Sequence, residues 1–246
     1  RRHFYIDGAW ASPAEQHDSF VIDPSTEQPC AVISLGSQTD TDAAVAAARA
    51  AFDSWSITPA ADRVALLVKL LEVYERRSGE MAEAISMEMG APIDLALKSQ
   101  VSAGSWHIRN TIAALEAFDF DRPLSDGAPG DRILYEAVGV CAMITPWNWP
   151  MNQVTLKVAP ALGVGCTLVL KPSEVAPLSS SLFAEMIDEA GFPPGVFNLV
   201  NGDGAGVGSQ LSAHPDVDMV SFTGSNRAGV AITHNAAESI KRVALE

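Results

Sequence analysis

Several short polar stretches stand at the ends of apolar runs. Asn148 lies in Thr145-Pro146-Trp147-Asn148-Trp149-Pro150, directly after Val140–Ile144. Its amide N–H can donate to a developing oxyanion. Lys171-Pro172-Ser173-Glu174 follows Thr167–Leu170. That ammonium and carboxylate can both hydrogen-bond a ribose diol, and the carboxylate repels a 2′-phosphate. As an isolated pair they read equally as a solvated salt bridge. Ser225, in Phe222-Thr223-Gly224-Ser225, can offer its hydroxyl and nearby N–H groups to a pyrophosphate, or simply cap a helix. Glu246 follows Arg242–Leu245 and can act as a general base on water if burial raises its pKa. Its bland alternative is a frayed, solvated end. Gly202-Asp203-Gly204-Ala205-Gly206-Val207-Gly208 permits close backbone approach to phosphate, although GxGxxG spacing is not met.

These groups need a frame. From Val140 onward the strand candidates are Val140–Ile144, Thr167–Leu170, Val196–Val200, Met219–Phe222 and Arg242–Leu245. Helical segments Met151–Leu162, Leu178–Ala190, Ala205–Ala213 and Ala228–Ala237 separate them. Such alternation predicts right-handed βαβ units and a parallel sheet, whose carboxyl-end loops share one rim. Pro150 suits a first helical turn, where its missing N–H costs nothing.

Upstream, Asp7-Gly8 between Phe4-Tyr5-Ile6 and Ala9-Trp10 signals a hairpin. Phe20-Val21-Ile22 leads into a turn, and Ala31–Ser34 reads as another strand. Thr39 with Asp42 resembles a capping pair before a helix over Ala43–Phe52. Thr58-Pro59 opens a second helix, with Val64, Leu67, Val68 and Leu71 on one stripe. Pro92 opens a third helical region reaching Phe118, and His107 and Arg109 on it receive no role. The turn-rich segment 119–138 reads as a hairpin arm with Ile133–Val138 as one strand, or as an ordinary surface loop.

The chain has 246 residues, 48% of them hydrophobic, enough for a sizeable core. Its net charge of −14 leaves no basic stripe for nucleic acid, and an anionic membrane surface is disfavoured for the same reason. No apolar run is long enough to span a bilayer, so a soluble, cytoplasmic protein is expected. Cys30, Cys141 and Cys166 are odd in number and widely spaced. They suggest neither a disulfide framework nor a metal pair, and Cys141 and Cys166 read as buried, inert thiols. No metal site is expected.

Together, Pro146-Trp147-Asn148-Trp149-Pro150, Lys171-Pro172-Ser173-Glu174, Phe222-Thr223-Gly224-Ser225 and Leu245-Glu246, in that order and spacing, resemble the NAD(P)-dependent aldehyde dehydrogenase superfamily. The likeness runs from Tyr5-Ile6-Asp7-Gly8 to Glu246. It implies an α/β fold with a Rossmann-like open parallel sheet and flanking helices. It assigns 1–118 and 139–246 to a dinucleotide-binding domain and 119–138 to an oligomerisation arm. Asn148 then holds the substrate oxygen, Glu246 is the general base, and Lys157 supports its proton path. Lys171, Ser173 and Glu174 fall at the adenine ribose, and Gly204, Gly224 and Ser225 at the phosphates. Thr145, Trp147, Phe222 and Thr223 line the cofactor channel, with Thr223 near the nicotinamide. Trp149, Gln153 and Leu156 line the substrate tunnel.

The family's nucleophile is a cysteine beyond that glutamate, in a second domain, and no cysteine here occupies its place. The chain is therefore expected to be a truncated N-terminal half, inactive by itself. The whole enzyme would oxidise an aldehyde to an acid through a cysteine thiohemiacetal and thioester. NAD is the expected cofactor, with NADP as the alternative, and a homodimer or homotetramer the expected assembly. Two rival readings are an acylating semialdehyde dehydrogenase that uses coenzyme A and a non-catalytic nucleotide-binding half-domain.

Overall fold

Two hairpins open the chain: β1 (Phe4–Ile6) with β2 (Ala9–Ala11), then β3 (Asp18–Asp23) with β4 (Gln28–Ser34). The computed structural model describes residues 1–246, apart from the side chain of Pro129. Asp7 and Gly8 adopt positive φ, 52° and 74°, which the twist of a two-residue turn demands.

Helices α1 (Gln38–Ser56), α2 (Ala60–Arg76) and α3 (Ser78–Met89) follow. The cap of α1 is not the expected Thr39–Asp42 pair. Ser37 is the N-cap and forms a reciprocal capping box with Asp40. Asp40 Oδ1 also accepts the Ala14 N–H at 2.8 Å. Helix α3 is an addition to the sequence reading. Arg77 closes α2 and opens α3 with no proline or glycine between them. The region from Pro92 is helical as expected but broken. It comprises α4 (Ile93–Leu95), a π-helical turn (Ala96–Val101) and α5 (Ser102–Ala117). The arm is a separate two-stranded hairpin, β5 (Asp121–Ser125) with β6 (Ala128–Leu134), turning at Asp126-Gly127. The strand expected at Ile133–Val138 thus ends at Leu134 instead.

The main sheet holds β7 (Val140–Ile144), β8 (Thr167–Lys171), β9 (Phe197–Leu199), β10 (Met219–Phe222) and β11 (Arg242–Leu245). Its order is β11-β10-β7-β8-β9-β1-β2. The first five are parallel, as alternation with helices requires. The sheet as a whole is mixed, because β1 adds antiparallel to β9 through Tyr5↔Leu199. That addition buries Phe4 and Tyr5 and covers what would be a bare sheet edge. The connecting helices are α6 (Pro150–Gly163), α7 (Leu178–Ala190), α8 (Ser209–Ala213) and α9 (Asn226–Ala237). A π-helical turn over Gly204–Gly208 replaces the first half of the helix expected at Ala205–Ala213.

Side-chain alternation along the strands builds two cores. Cys141, Met143, Leu168 and Leu170 pack with α2, α3, α5, α6 and α7 on one face. Val140, Ala142, Ile144, Val169, Val220 and Phe222 pack with α1, α8 and α9 on the other. Cys141 and Cys166, distant in sequence, are buried free thiols in the same core. The neighbouring Cys166, with burial, pushes the Cys141 thiol up from its ordinary range. Among the described residues no helix is long and apolar enough to cross a membrane, and no group of His, Cys, Asp and Glu could hold a metal ion.

Candidate active site

Strand register levels the rim. Ile144 is paired with both Lys171 and Phe222, and Phe222 with Leu245. Thr145, Thr223 and Glu246 therefore leave the sheet at one height. Backbone bonds extend the ladder past the strands: Thr223 N–H donates to Ile144 O at 3.2 Å and Glu246 N–H to Phe222 O at 3.0 Å. Glu246 is thus anchored rather than frayed.

The Glu246 side chain is half-exposed, and two donors converge on its Oε2. Lys157 Nζ lies at 3.2 Å and Thr223 Oγ1 at 3.0 Å. Lys157 comes from the middle of α6, and its side chain is only 2% exposed. The same ammonium donates to Ser221 Oγ at 3.1 Å. Burial pushes the Glu246 carboxyl up, but the Thr223 hydroxyl and the Lys157 ammonium outweigh it, and the net shift is downward. The condition set above, that burial raise its pKa, is not met: this carboxyl is held ionised, with its proton affinity lowered. Ser221 carried no role in the sequence reading. Its signal was available, since it lies two residues before Thr223 and so on the same face of the strand.

Lys171 ends β8 with its side chain almost fully buried and Nζ 3.2 Å from Glu174 Oε2. Burial lowers the Lys171 pKa, and the Glu174 carboxylate counters it. Ser173 is also buried, and its Oγ accepts the Val175 N–H. In the glycine loop, Asp203 Oδ1 accepts from Gly206 N–H at 2.6 Å and caps the π-helical turn. A Cβ on Gly204 would meet open space, so that backbone is accessible. A Cβ on Gly224 would sit 2.5 Å from Phe222 Cζ, so this glycine is required by the phenylalanine ring beneath it. Ser225 is the N-cap of α9 and accepts the Ala228 N–H, the simple capping role. Phe222, Gly224, Ser225, Leu245 and Glu246 line one cavity of about 570 Å³.

Asn148 projects from an exposed bend between β7 and α6, flanked by exposed Trp147 and Trp149. Thr145 beside them is buried. Pro150 occupies the first turn of α6, as expected. Gln153, one turn on, has its Oε1 buried without a partner. Leu156 is not gathered at this bend. It lines a groove of about 340 Å³ between α5 and α6, with Phe118, Phe120 and Pro160. His107 borders that groove too, and its Nε2 lies 2.9 Å from Asn152 Oδ1.

The geometry joins a carboxylate, a buried ammonium, an exposed amide and a Lys–Glu pair along one rim. Residues 10–246 match the family model described as aldehyde dehydrogenase family. The 3-succinoylsemialdehyde-pyridine dehydrogenase of a Pseudomonas species is 52% identical over all of this chain and 51% of its own length. A solved aldehyde dehydrogenase from Bartonella henselae shares 60% identity with a TM-score of 0.98, covering all of this chain and 52% of that one. A solved variant of aldehyde dehydrogenase C from Pseudomonas syringae, in complex with NAD+ and octanal, shares 48% identity with a TM-score of 0.97 over all of this chain and 50% of that one. The chain spans about half the length of the curated relatives it matches. Match and geometry agree, and the chain belongs to the aldehyde dehydrogenase family.

Proposed function

We propose that this chain is the nucleotide-binding half of an NAD-dependent aldehyde dehydrogenase that converts an aldehyde to a carboxylic acid. The observation that carries the reading is Glu246 Oε2, held between Lys157 and Thr223 on the carboxyl rim. A dinucleotide fits the residues along that rim. Lys171 and Glu174 would take the adenine ribose hydroxyls, and Ser173 stands beside them. The accessible backbone at Gly204 and the α9 N-terminus at Gly224 and Ser225 would take the phosphates. Thr145, Trp147, Phe222 and Thr223 would border the nicotinamide end. When bound, NAD+ supplies the hydride acceptor; NADP is disfavoured by the Glu174 charge. A relative solved with NAD+ and octanal supports this choice of cofactor and an aldehyde substrate.

The nucleophile in this reading is a cysteine thiolate from sequence beyond Glu246. It adds to the aldehyde carbonyl, and the exposed Asn148 amide donates to the oxyanion. Trp149, Gln153 and Leu156 would contact the rest of the aldehyde. Loss of hydride leaves a thioester. Water then adds to the thioester carbon while Glu246 accepts its proton. The C–S bond breaks, the thiolate leaves, and the acid is released. The presence of a carboxylate at Glu246, a group that can take a proton from water, favours this hydrolytic ending over transfer to coenzyme A.

In the enzyme carrying both halves, Glu246→Gln is expected to preserve one rapid equivalent of NADH and slow steady turnover about 10²- to 10⁴-fold, the usual worth of a general base. Burst and steady-state absorbance measure both. Undiminished turnover would remove Glu246 from the mechanism, and acceleration by coenzyme A in place of water would favour the acylating reading.

A further inference from the structure

We infer that Ser221 is a positioning residue, which holds the Lys157 ammonium on one oxygen of Glu246 so that the other stays free for water. The inference rests on the general-base reading of Glu246. Ser221 is buried on the face of the sheet that α6 covers, paired in register with Met143. That face is otherwise apolar, with Cys141, Met143, Leu168 and Leu170 on the neighbouring strands. A lone hydroxyl there requires a partner, and its partner is Lys157 Nζ at 3.1 Å.

Lysine has a four-carbon stem and three rotatable donors, so its tip is not fixed by the helix that carries it. Lys157 has one hydrogen bond into the sheet and one to the rim. The first aims the second. Thr223, on the same face as Ser221, donates to the same Oε2. Among the described residues nothing donates to Oε1. Water approaching a thioester must give its proton to a carboxylate oxygen that is unoccupied, and this arrangement leaves one. If the ammonium were released from Ser221, it could straddle both oxygens and compete with water for Oε1. Lys157, from α6, is the charged side chain bonded to Glu246; β10 and the residue after it contribute the neutral hydroxyls of Ser221 and Thr223, and α9 places the titratable His234 on the cavity that Glu246 lines.

The bland reading is that Ser221 merely satisfies a buried lysine. The two readings part on pH behaviour. In the enzyme carrying both halves, Ser221→Ala is expected to lower kcat about three- to ten-fold, the scale of one ordinary hydrogen bond. The acid limb of the kcat–pH profile should move to lower pH by about half a unit or more, because an ammonium straddling both oxygens holds the carboxylate ionised further down the scale. Aldehyde KM and NAD+ affinity should stay unchanged, while the melting temperature falls by what one buried hydrogen bond is worth. Ser221→Thr, which keeps the hydroxyl, should restore the parent profile. Ser221→Cys, which keeps the volume, should not, and it serves if the alanine variant folds poorly. In a Lys157→Met background, Ser221→Ala should cost nothing more. A Ser221→Ala profile that superimposes on the parent overturns the inference, as does an equal loss in the Lys157→Met background. If Glu246→Gln itself hydrolyses the thioester at the parent rate, the base reading fails first and the inference with it.

Discussion

Glu246 and Lys171 show how a residue's surroundings reset its chemistry. Both lie at strand ends, and both are charged groups with an opposite charge at 3.2 Å. Glu246 is half-exposed and its partners win, so its proton affinity falls. Lys171 is buried and burial wins, so its proton affinity falls for the opposite reason. Glu174, on the solvent side of that pair, carries the charge that would meet a 2′-phosphate. Glu174→Gln is expected to narrow the preference for NAD+ over NADP+ by about ten-fold, the effect of one partly screened charge contact. Titration calorimetry with both nucleotides checks it, and an unchanged ratio places Glu174 away from the ribose. The places of Asn148, Lys171, Glu174, Thr223 and Glu246 at the carboxyl ends of strands were legible because each polar residue follows an apolar run. The sign of the Glu246 shift was not legible. Its ammonium comes from 89 residues upstream, and no local pattern announces that encounter. Ser221 was hidden for a related reason, as one hydroxyl in an apolar strand carries no signature until its partner is known.

Elements were legible where their punctuation is unique. The strands from β7 to β11 are bounded by turns and read out almost to the residue. Helix α1 was placed in the wrong capping register because Ser37-x-x-Asp40 and Thr39-x-x-Asp42 overlap. The deciding bond, Ala14 N–H to Asp40, arrives from outside the helix. Helix α3 was missed because Glu88 interrupts its buried stripe of Met81, Ala82 and Ile85. The structure explains that interruption: α7 begins after Pro177 without a side-chain cap of its own, and Glu88 supplies one from α3. Its oxygens accept the N–H groups of Leu178 and Ser179. Burial nevertheless pushes its pKa up from 4.5 to about 7, outweighing those bonds. Below pH 4.5 the carboxyl is protonated in folded and unfolded chains alike. Between there and pH 7 only the folded chain keeps its proton, so stability falls as pH rises through that window, by on the order of 3 kcal/mol. Glu88→Gln keeps an acceptor for α7 and removes the titration. Urea denaturation at pH 5 and pH 8 should show a larger loss for the parent than for the variant, and equal losses would place the titration elsewhere.

For the molecule as a whole, the Rossmann-like frame was legible but its closure was not. The antiparallel β1–β2 edge depends on a partner at Leu199, far along the chain. The arm raises a separate expectation. It stands off as its own two-stranded sheet and exposes Leu124 and Leu134, the kind of edge that pairs with another copy. Replacing residues 122–133 with a short Gly-Ser turn in the enzyme carrying both halves should lower the assembly order without unfolding the protomer. Sedimentation velocity and circular dichroism together test this, and an unchanged sedimentation coefficient would assign the arm another task. The sheet order also governs when folding can finish during synthesis. The strand around Tyr5 is made about 190 residues before its pairing residue, which at ordinary elongation rates is on the order of 10 to 40 s. Until then Phe4 and Tyr5, destined for opposite cores, have no sheet to join. An aromatic hairpin is therefore without its sheet while the intervening residues are made, a cost of placing two sequence-distant strands side by side.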